Sequence, residues 1–401
     1  MSSFLQKLKS NKVFNALILA CLFFFTERTL RNNFLFVCTY RMQFIAKVMP
    51  IACAWVIFIA FAIYAKRNPA ILKSCSVVAW YLGIYLAYLI PTLIHGGYLP
   101  RWADSLVYSL PPFFLATLAM DNEKSKKLFI SVAAWTFTVM SALNLVFILF
   151  PGSWSLISEW SQEYFLGFHT QIGFILVLGA FFVLLTGKTY LQLLYLCLMA
   201  ANAVFIMQGT VLAGVVLMVF LLIPPVKRLV SKIPLWVFVV LIVAVFVVLV
   251  CFLEKITKFE PIMTFMWYRL EKDWTLSGRY YIWNGYANLV KDAPLLGHGL
   301  GQGATYFFEA SDWNKAFVHA HSNYLQTLYE GGIVTLAVSL LMIVGTSRKL
   351  KTSAVSSAVK ASLIPILIML LVDLDAYYPW YLVAFICHIG VLYDSKEQTS
   401  N

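Results

Sequence analysis

PLWVFVVLIVAVFVVLVCFL, residues 234–253, contains no charged side chain and no glycine. As a helix rising about 1.5 Å per residue it would be about 30 Å long, the depth of a bilayer's hydrocarbon core. Comparable apolar runs recur on both sides of it. The expected spans are 12–26, 44–65, 77–95, 105–120, 128–150, 166–186, 189–207, 210–226, 234–253, 322–346, 360–374 and 378–393. Composition agrees, with 61% of residues hydrophobic and 12% charged, against roughly a quarter charged in a soluble domain. The runs lack the apolar–polar alternation of a membrane barrel. The expected class is therefore all-α: a polytopic membrane protein of about 12 transmembrane helices, with one large extracytoplasmic loop containing short helices.

Sidedness follows from the basic residues. Short cytoplasmic loops are rich in Lys and Arg, and alternate connections carry them here. They are Lys7, Lys9 and Lys12; Lys66, Arg67 and Lys73; Lys124, Lys126 and Lys127; Lys188; Lys227, Arg228 and Lys232; and Arg348, Lys349, Lys351 and Lys360. With Lys396 of the tail these make 18 of the 30 basic residues. Both termini are expected in the cytoplasm of a cell whose inner membrane holds the chain. The connections 151–165 and 373–379, with no Lys or Arg, are expected outside. Arg28, Arg31 and Arg41 dissent. The net charge of +12 is thus mostly a topology signal. Dispersed over short loops, it gives no nucleic-acid-binding face.

The basic segment Met1 to Lys12 and the apolar stretch after it show no small-residue cleavage site, so a retained first helix is expected. Seven cysteines (Cys21, Cys38, Cys53, Cys75, Cys197, Cys251, Cys387) lie in or beside apolar segments without a CxxC pair. They read as small buried hydrophobes and not as a disulfide framework or metal ligands. The chain divides into helices 1–9 over residues 1–253, a catalytic loop over 254–320, and helices 10–12 with a cytoplasmic tail over 321–401.

The loop 254–320 breaks the apolar pattern, with seven basic and seven acidic residues among aromatics, Gly and His. A loop of that length is usually functional. Ser277 is expected to cap a helix running to Ala293, before Pro294. Along it Arg279, Trp283, Tyr286 and Val290 share one face. An arginine fork matches phosphate oxygens, and aromatic faces suit sugar rings. The same face would also serve a helix lying on the membrane surface, with Arg279 reaching the headgroups. Next, Gly297, Gly299, Gly301 and Gly303 alternate. No Lys-Ser/Thr follows and no βαβ unit precedes, so neither nucleotide motif applies. Close backbone approach to a substrate or a plain turn remains. His319 and His321 then lead into the tenth span, on one face if the lead-in is strand-like. The start of a helix should keep His321 neutral and able to act as a general base. Zinc would need a third ligand, and none is placed nearby. Alternatively, the His321 ring caps the helix.

Ser277-Gly278-Arg279, Trp283, Pro294, the glycines at 297, 299 and 301, and the His321 segment together resemble the loop of the O-antigen ligase and polymerase superfamily. Ligase members show His, then Asn/Ser/Gln, nine residues, Gly, two residues, and Gly/Thr/Tyr. Here that pattern reads His321, Ser322, Asn323 to Gly331, Gly332 and Thr335. The order of nine spans, one outside loop and three spans is also similar. The family's mid-chain Ser-Arg-Gly element is missing, since Met207 to Val211 contains no arginine. Arg101, Arg28 and Arg31 are the outward substitutes.

The resemblance implies glycosyl transfer from an undecaprenyl-diphosphate-linked glycan to a sugar hydroxyl, inverting the anomeric centre without metal or other cofactor. The acceptor would be lipid A–core for a ligase or a lipid-linked oligosaccharide for a polymerase, and the ligase pattern favours the former. His321 and Arg279 carry the implied chemistry, while Trp283, Tyr286, Gly299, Gly301, His319, Ser322 and Arg101 bind substrate. Apart from substrates, the implied partners are membrane lipids. A lipid-linked glycan transporter would also suit about twelve spans, but such folds show internal repeats and charges in mid-span, and the chain concentrates its polar residues in one loop.

Overall fold

The computed structural model describes residues 12–27, 40–150, 163–168, 170–270, 275, 278–301, 306–307, 316–317, 319–350, 353–374 and 380–397. Their regular structure is helical apart from two hairpins of two-residue strands, β1–β2 (Glu163–Tyr164, Gly167–Phe168) and β3–β4 (Tyr306–Phe307, Ala316–Phe317). The helices before residue 254 are α1 (Lys12–Thr26), α2 (Tyr40–Arg67), α3 (Ser76–Ile94), α4 (Leu99–Ala119), α5 (Glu123–Leu149), α6 (Ile172–Leu185), α7 (Thr189–Ile206), α8 (Gly209–Leu222), α9 (Pro224–Lys232) and α10 (Leu235–Thr257). After them come α11 (Glu260–Leu270), α12 (Arg279–Asp292), α13 (Asn323–Ser347), α14 (Ser353–Val372) and α15 (Tyr381–Glu397).

Helices cover all twelve expected stretches, with differences at their ends. Among the described residues, seven are long and apolar enough to cross a membrane, or eight if the α8–α9 pair is one span. That pair bends by 87° where Pro224 and Pro225 follow the last turn of α8, since proline cannot continue a helix ladder. The sixth stretch begins as the β1–β2 hairpin and becomes helical only at Ile172.

Two helices show how the bundle is layered. In α6 nearly every residue is buried, from Ile172 to Leu185. A helix apolar on all sides belongs in the middle, and α6 packs among α5, α7, α8 and α14. In α10 only Leu235, Val239, Ile242 and Phe246 are buried, at the spacing of one helical face. Trp236, Val240, Leu241, Val245, Val247, Val248 and Phe252 face outward. The same logic corrects the reading of the cysteines. Cys53 and Cys387 are buried, but Cys21, Cys197 and Cys251 are exposed. Lipid is as apolar as a protein core, so a thiol needs no burial inside the bundle. Cys38 lies outside the described residues.

Candidate functional site

The site is assembled where the ends of α3 and α14 meet the starts of α4, α12 and α13. Its frame is a break in α13. Gly332 adopts φ 64° and ψ −173° inside the helix, so the ladder is interrupted there and the glycine loop is spliced in. The Tyr329 and Glu330 carbonyls accept the N–H groups of His298 and Gly299, each at 2.8 Å. In return Ile333 and Val334 donate to the carbonyls of Pro294 (2.9 Å) and Leu295 (3.2 Å). Backbone groups freed by the break are thus satisfied by the loop, as buried polar groups must be.

The alternating glycines follow from this docking. At Gly297, φ 73°, a Cβ would lie 2.6 Å from backbone atoms of Glu330 and Gly331. At Gly299 it would lie 2.8 Å from Thr92 Cα, and at Gly301 3.0 Å from Arg101 Cδ. The Leu300 N–H donates to Thr92 Oγ1 at 2.9 Å, and the Leu300 carbonyl accepts the Tyr98 N–H at 3.1 Å. The loop therefore clamps the turn between α3 and α4 and brings Arg101 beside the histidines.

The His319 and His321 rings lie 4.1 Å apart, centroid to centroid. They meet through a bend and not through the expected strand: His321 has φ 46°, a left-handed conformation that costs a non-glycine residue on the order of 1 kcal/mol. Such strain persists where the surroundings over-determine it, often at functional sites. The helix cap is Ser322, whose Oγ accepts the Leu325 N–H at 3.5 Å. Capping thus falls to Ser322.

The charged groups are linked as neighbours in pairs. Burial lowers the His319 pKa, and the Arg101 charge lowers it further. Burial likewise takes His321 down to about 3, with His319 and then Arg279 adding to the effect. Burial, rather than the helix terminus, is the main cause. Arg279 also has Asp373, at the end of α14, as a charged neighbour. Burial raises its carboxyl to about 6, offset in part by the Leu374 N–H, the Arg279 charge and Thr170. Asp373 Oδ2 is buried without a hydrogen-bond partner among the described residues, and the Asp373 carbonyl accepts the Asn323 N–H at 3.1 Å. Burial disfavours the Arg279 charge and Asp373 supports it; a guanidinium stays protonated regardless. The pairs are Arg101 with His319, His319 with His321, His321 with Arg279, and Arg279 with Asp373.

α12 starts at Arg279, with Gly278 (φ 84°) as its N-cap. Ile282, Trp283, Gly285 and Tyr286 are buried, and α12 packs on α13 and α10, so it does not lie free on a membrane surface. Tyr286 meets Tyr329 edge-on at 5.1 Å, and Trp283 Nε1 is buried without a partner among the described residues. Ser277, Arg28, Arg31, Gln302 and Gly303 lie outside the described residues. No three His, Cys, Asp or Glu side chains come together as metal ligands among the described residues. Sequence reasoning brought Arg279, Trp283, Tyr286, His319, His321 and Arg101 to this place but missed Glu330 and Asp373. Glu330 was legible as an acidic residue within an apolar run, a pattern that usually marks function.

The assembly defines a membrane-embedded helical bundle with a histidine pair between two arginines at one end. A family model described as O-antigen ligase matches residues 165–340, from the hairpin before α6 into α13. The match supports the O-antigen ligase superfamily indicated by the His321 motif. Its members are glycosyltransferase-like enzymes of O-antigen biosynthesis, and the domain supports a ligase- or polymerase-type function here. No curated protein matches the chain.

Proposed function

We propose that the chain is an O-antigen ligase of the inner membrane, transferring a glycan from undecaprenyl diphosphate to a sugar hydroxyl of lipid A–core. The observation that carries this reading is the meeting of the His319 and His321 rings, 4.1 Å apart, with Arg279 and Arg101 as their charged neighbours. Neutral His321 takes the proton of the acceptor hydroxyl, whose oxygen forms a bond to the anomeric carbon. The bond from that carbon to the diphosphate oxygen breaks on the opposite face, inverting the centre, and undecaprenyl diphosphate leaves with the electron pair. Arg279 and Arg101 hold the diphosphate, since charge developing on a leaving group is best met by fixed cations. Arg101, carried in by α4, replaces the arginine missing near Gln208. Trp283, Tyr286 and the Gly299–Gly301 turn line the donor side, and no metal or cofactor is called for.

The electrostatics give the base a condition. Burial chiefly, with His319 and the Arg279 charge beside it, depresses His321 in the free protein. A bound diphosphate offsets the Arg279 charge and raises the imidazole pKa, so His321 becomes a stronger base with donor in place. The active site faces the periplasm and both termini face the cytoplasm, as the basic loops indicate. A direct assay decides the acceptor. Purified protein in nanodiscs is given lipid-linked glycan with either lipid A–core or a second lipid-linked repeat. Transfer to lipid A–core is expected; elongation of the lipid-linked repeat alone would make the chain a polymerase.

A further inference from the structure

Glu330 lies inside α13 and is 3% exposed, in a segment apolar enough to cross a bilayer. A carboxylate in such a place needs partners, and Glu330 has them on three sides. Its Oε1 accepts the Gly301 N–H at 3.2 Å. Its side chain bonds to that of Gln326, one turn earlier, and faces the Arg101 charge. Gln326 extends the link, because its Oε1 accepts the Ala320 N–H at 2.8 Å. Ala320 is fully buried and separates His319 from His321. The Glu330 backbone carbonyl holds the Gly299 N–H at 2.8 Å. One residue thus reaches the glycine loop, the α4 cation and, through one amide, the peptide that aims both imidazoles. With His321 in a left-handed conformation, ring direction depends on that peptide being fixed.

We propose that Glu330 is a positioning residue of this site, holding Arg101 and, through Gln326, the His319–Ala320–His321 segment in their working arrangement. The role rests on the glycosyl-transfer reading for its purpose, but its geometry can be tested without turnover. In the intact protein in detergent, with no substrate, modification of His319 and His321 by diethyl pyrocarbonate is followed by mass spectrometry. Glu330→Ala and Gln326→Leu should react about tenfold faster than wild type, the scale on which supporting contacts act. Glu330→Gln keeps the side-chain shape and one acceptor oxygen for the Gly301 N–H, and should fall between wild type and Glu330→Ala. In transfer assays Glu330→Ala should lose about 100-fold in turnover, as a misplaced catalytic group does. Glu330→Gln should recover part of the turnover while raising the donor KM, because the charge opposite Arg101 and one acceptor oxygen have gone.

Size-exclusion profiles establish folding. Gln326→Leu leaves Glu330 in place and carries the test if Glu330→Ala fails to fold. Wild-type histidine reactivity in the folded variants, or Glu330→Gln behaving like Glu330→Ala, would overturn the role. Altered reactivity alongside a wild type that transfers no glycan would overturn the transfer reading and leave the positioning role standing.

Discussion

α10 and α13 are both long apolar helices, yet one is a wall and the other a workplace. α10 carries no glycine or acidic residue from Leu235 to Leu253 and buries one narrow face. α13 spends three positions against its own regularity: a left-handed histidine before its cap, a buried glutamate, and a glycine that breaks the ladder. Two of these irregularities are answered from outside the helix, the glutamate by Gly301 and the Arg101 charge and the glycine by the Pro294–Gly299 loop. A helix that satisfies itself needs no neighbours and can face lipid. A helix that breaks its own rules holds a site together.

The sharpest way to break the comparison is at His321. His321→Asn removes the base while Ser322 still caps α13, so the protein should insert and fold normally. Transfer should fall by roughly 100- to 10,000-fold, the usual contribution of a general base. Near-normal rates from the purified variant would remove the imidazole from the chemistry.

Two glycines of α13 sharpen it next. A Cβ on Gly332 would collide with the Leu295 backbone at a positive φ, whereas one on Gly345 would meet the Trp80 ring at 3.6 Å, an ordinary contact. Gly332→Ala should cost more than about 3 kcal/mol, or fail to fold, as strain and lost backbone bonds combine. Gly345→Ala should be neutral or stabilising by about 0.5 kcal/mol, since alanine favours the helix. Thermal unfolding in one detergent compares them, and equal losses would mean that the break has no special role.

Arg279→Lys keeps the charge and loses the planar fork, so a loss of about tenfold in kcat/KM is expected, the scale of one or two kcal/mol of charge-assisted bonding. A smaller pH effect accompanies it. In the free protein His321 is neutral above pH 3, so between pH 5 and 8 the profile of kcat/KM should carry no limb from it. With donor bound its pKa rises, and kcat should fall on the acid side as the imidazole gains a proton. An acid limb in kcat that His321→Asn leaves unchanged, within its residual rate, would contradict donor-triggered basicity.

Much of this was legible in the sequence. Length and apolarity alone located the helices, because a bilayer enforces both. His321 and Arg279 were found by spacing and by likeness to a family. Glu330 sits in the stretch counted merely as the nine residues after Ser322, and its role arises from Arg101 and Gly301, 229 and 29 positions away. Asp373 was noted only for the lack of basic residues around it. The glycines read as a close approach to substrate or a plain turn, and nothing in the sequence showed that their positive φ values also serve the splice into α13. Local patterns encode elements; the break at Gly332 has meaning only once the loop is docked.

The smallest effect tests the wall. Val247 on α10 is half exposed and points away from the site, whereas Phe246 beside it is buried and stacks on Tyr324 of α13 at 5.3 Å. Val247→Leu changes only which apolar atoms meet the surroundings, and stability should move by less than about 0.5 kcal/mol with transfer untouched. Phe246→Leu removes a stacked ring worth about 1 kcal/mol from beneath the first turn of α13, two residues past the Ser322 cap. If α10 is a passive wall on one face and a brace for the site on the other, the two neighbours must differ. Val247→Leu should match wild type in both unfolding and turnover, and Phe246→Leu should lose a few-fold in turnover along with its modest loss of stability. Equal behaviour of the pair would mean that α10 contributes nothing to the position of α13, and the bracing would then fall to α3, α12, α14 and α15.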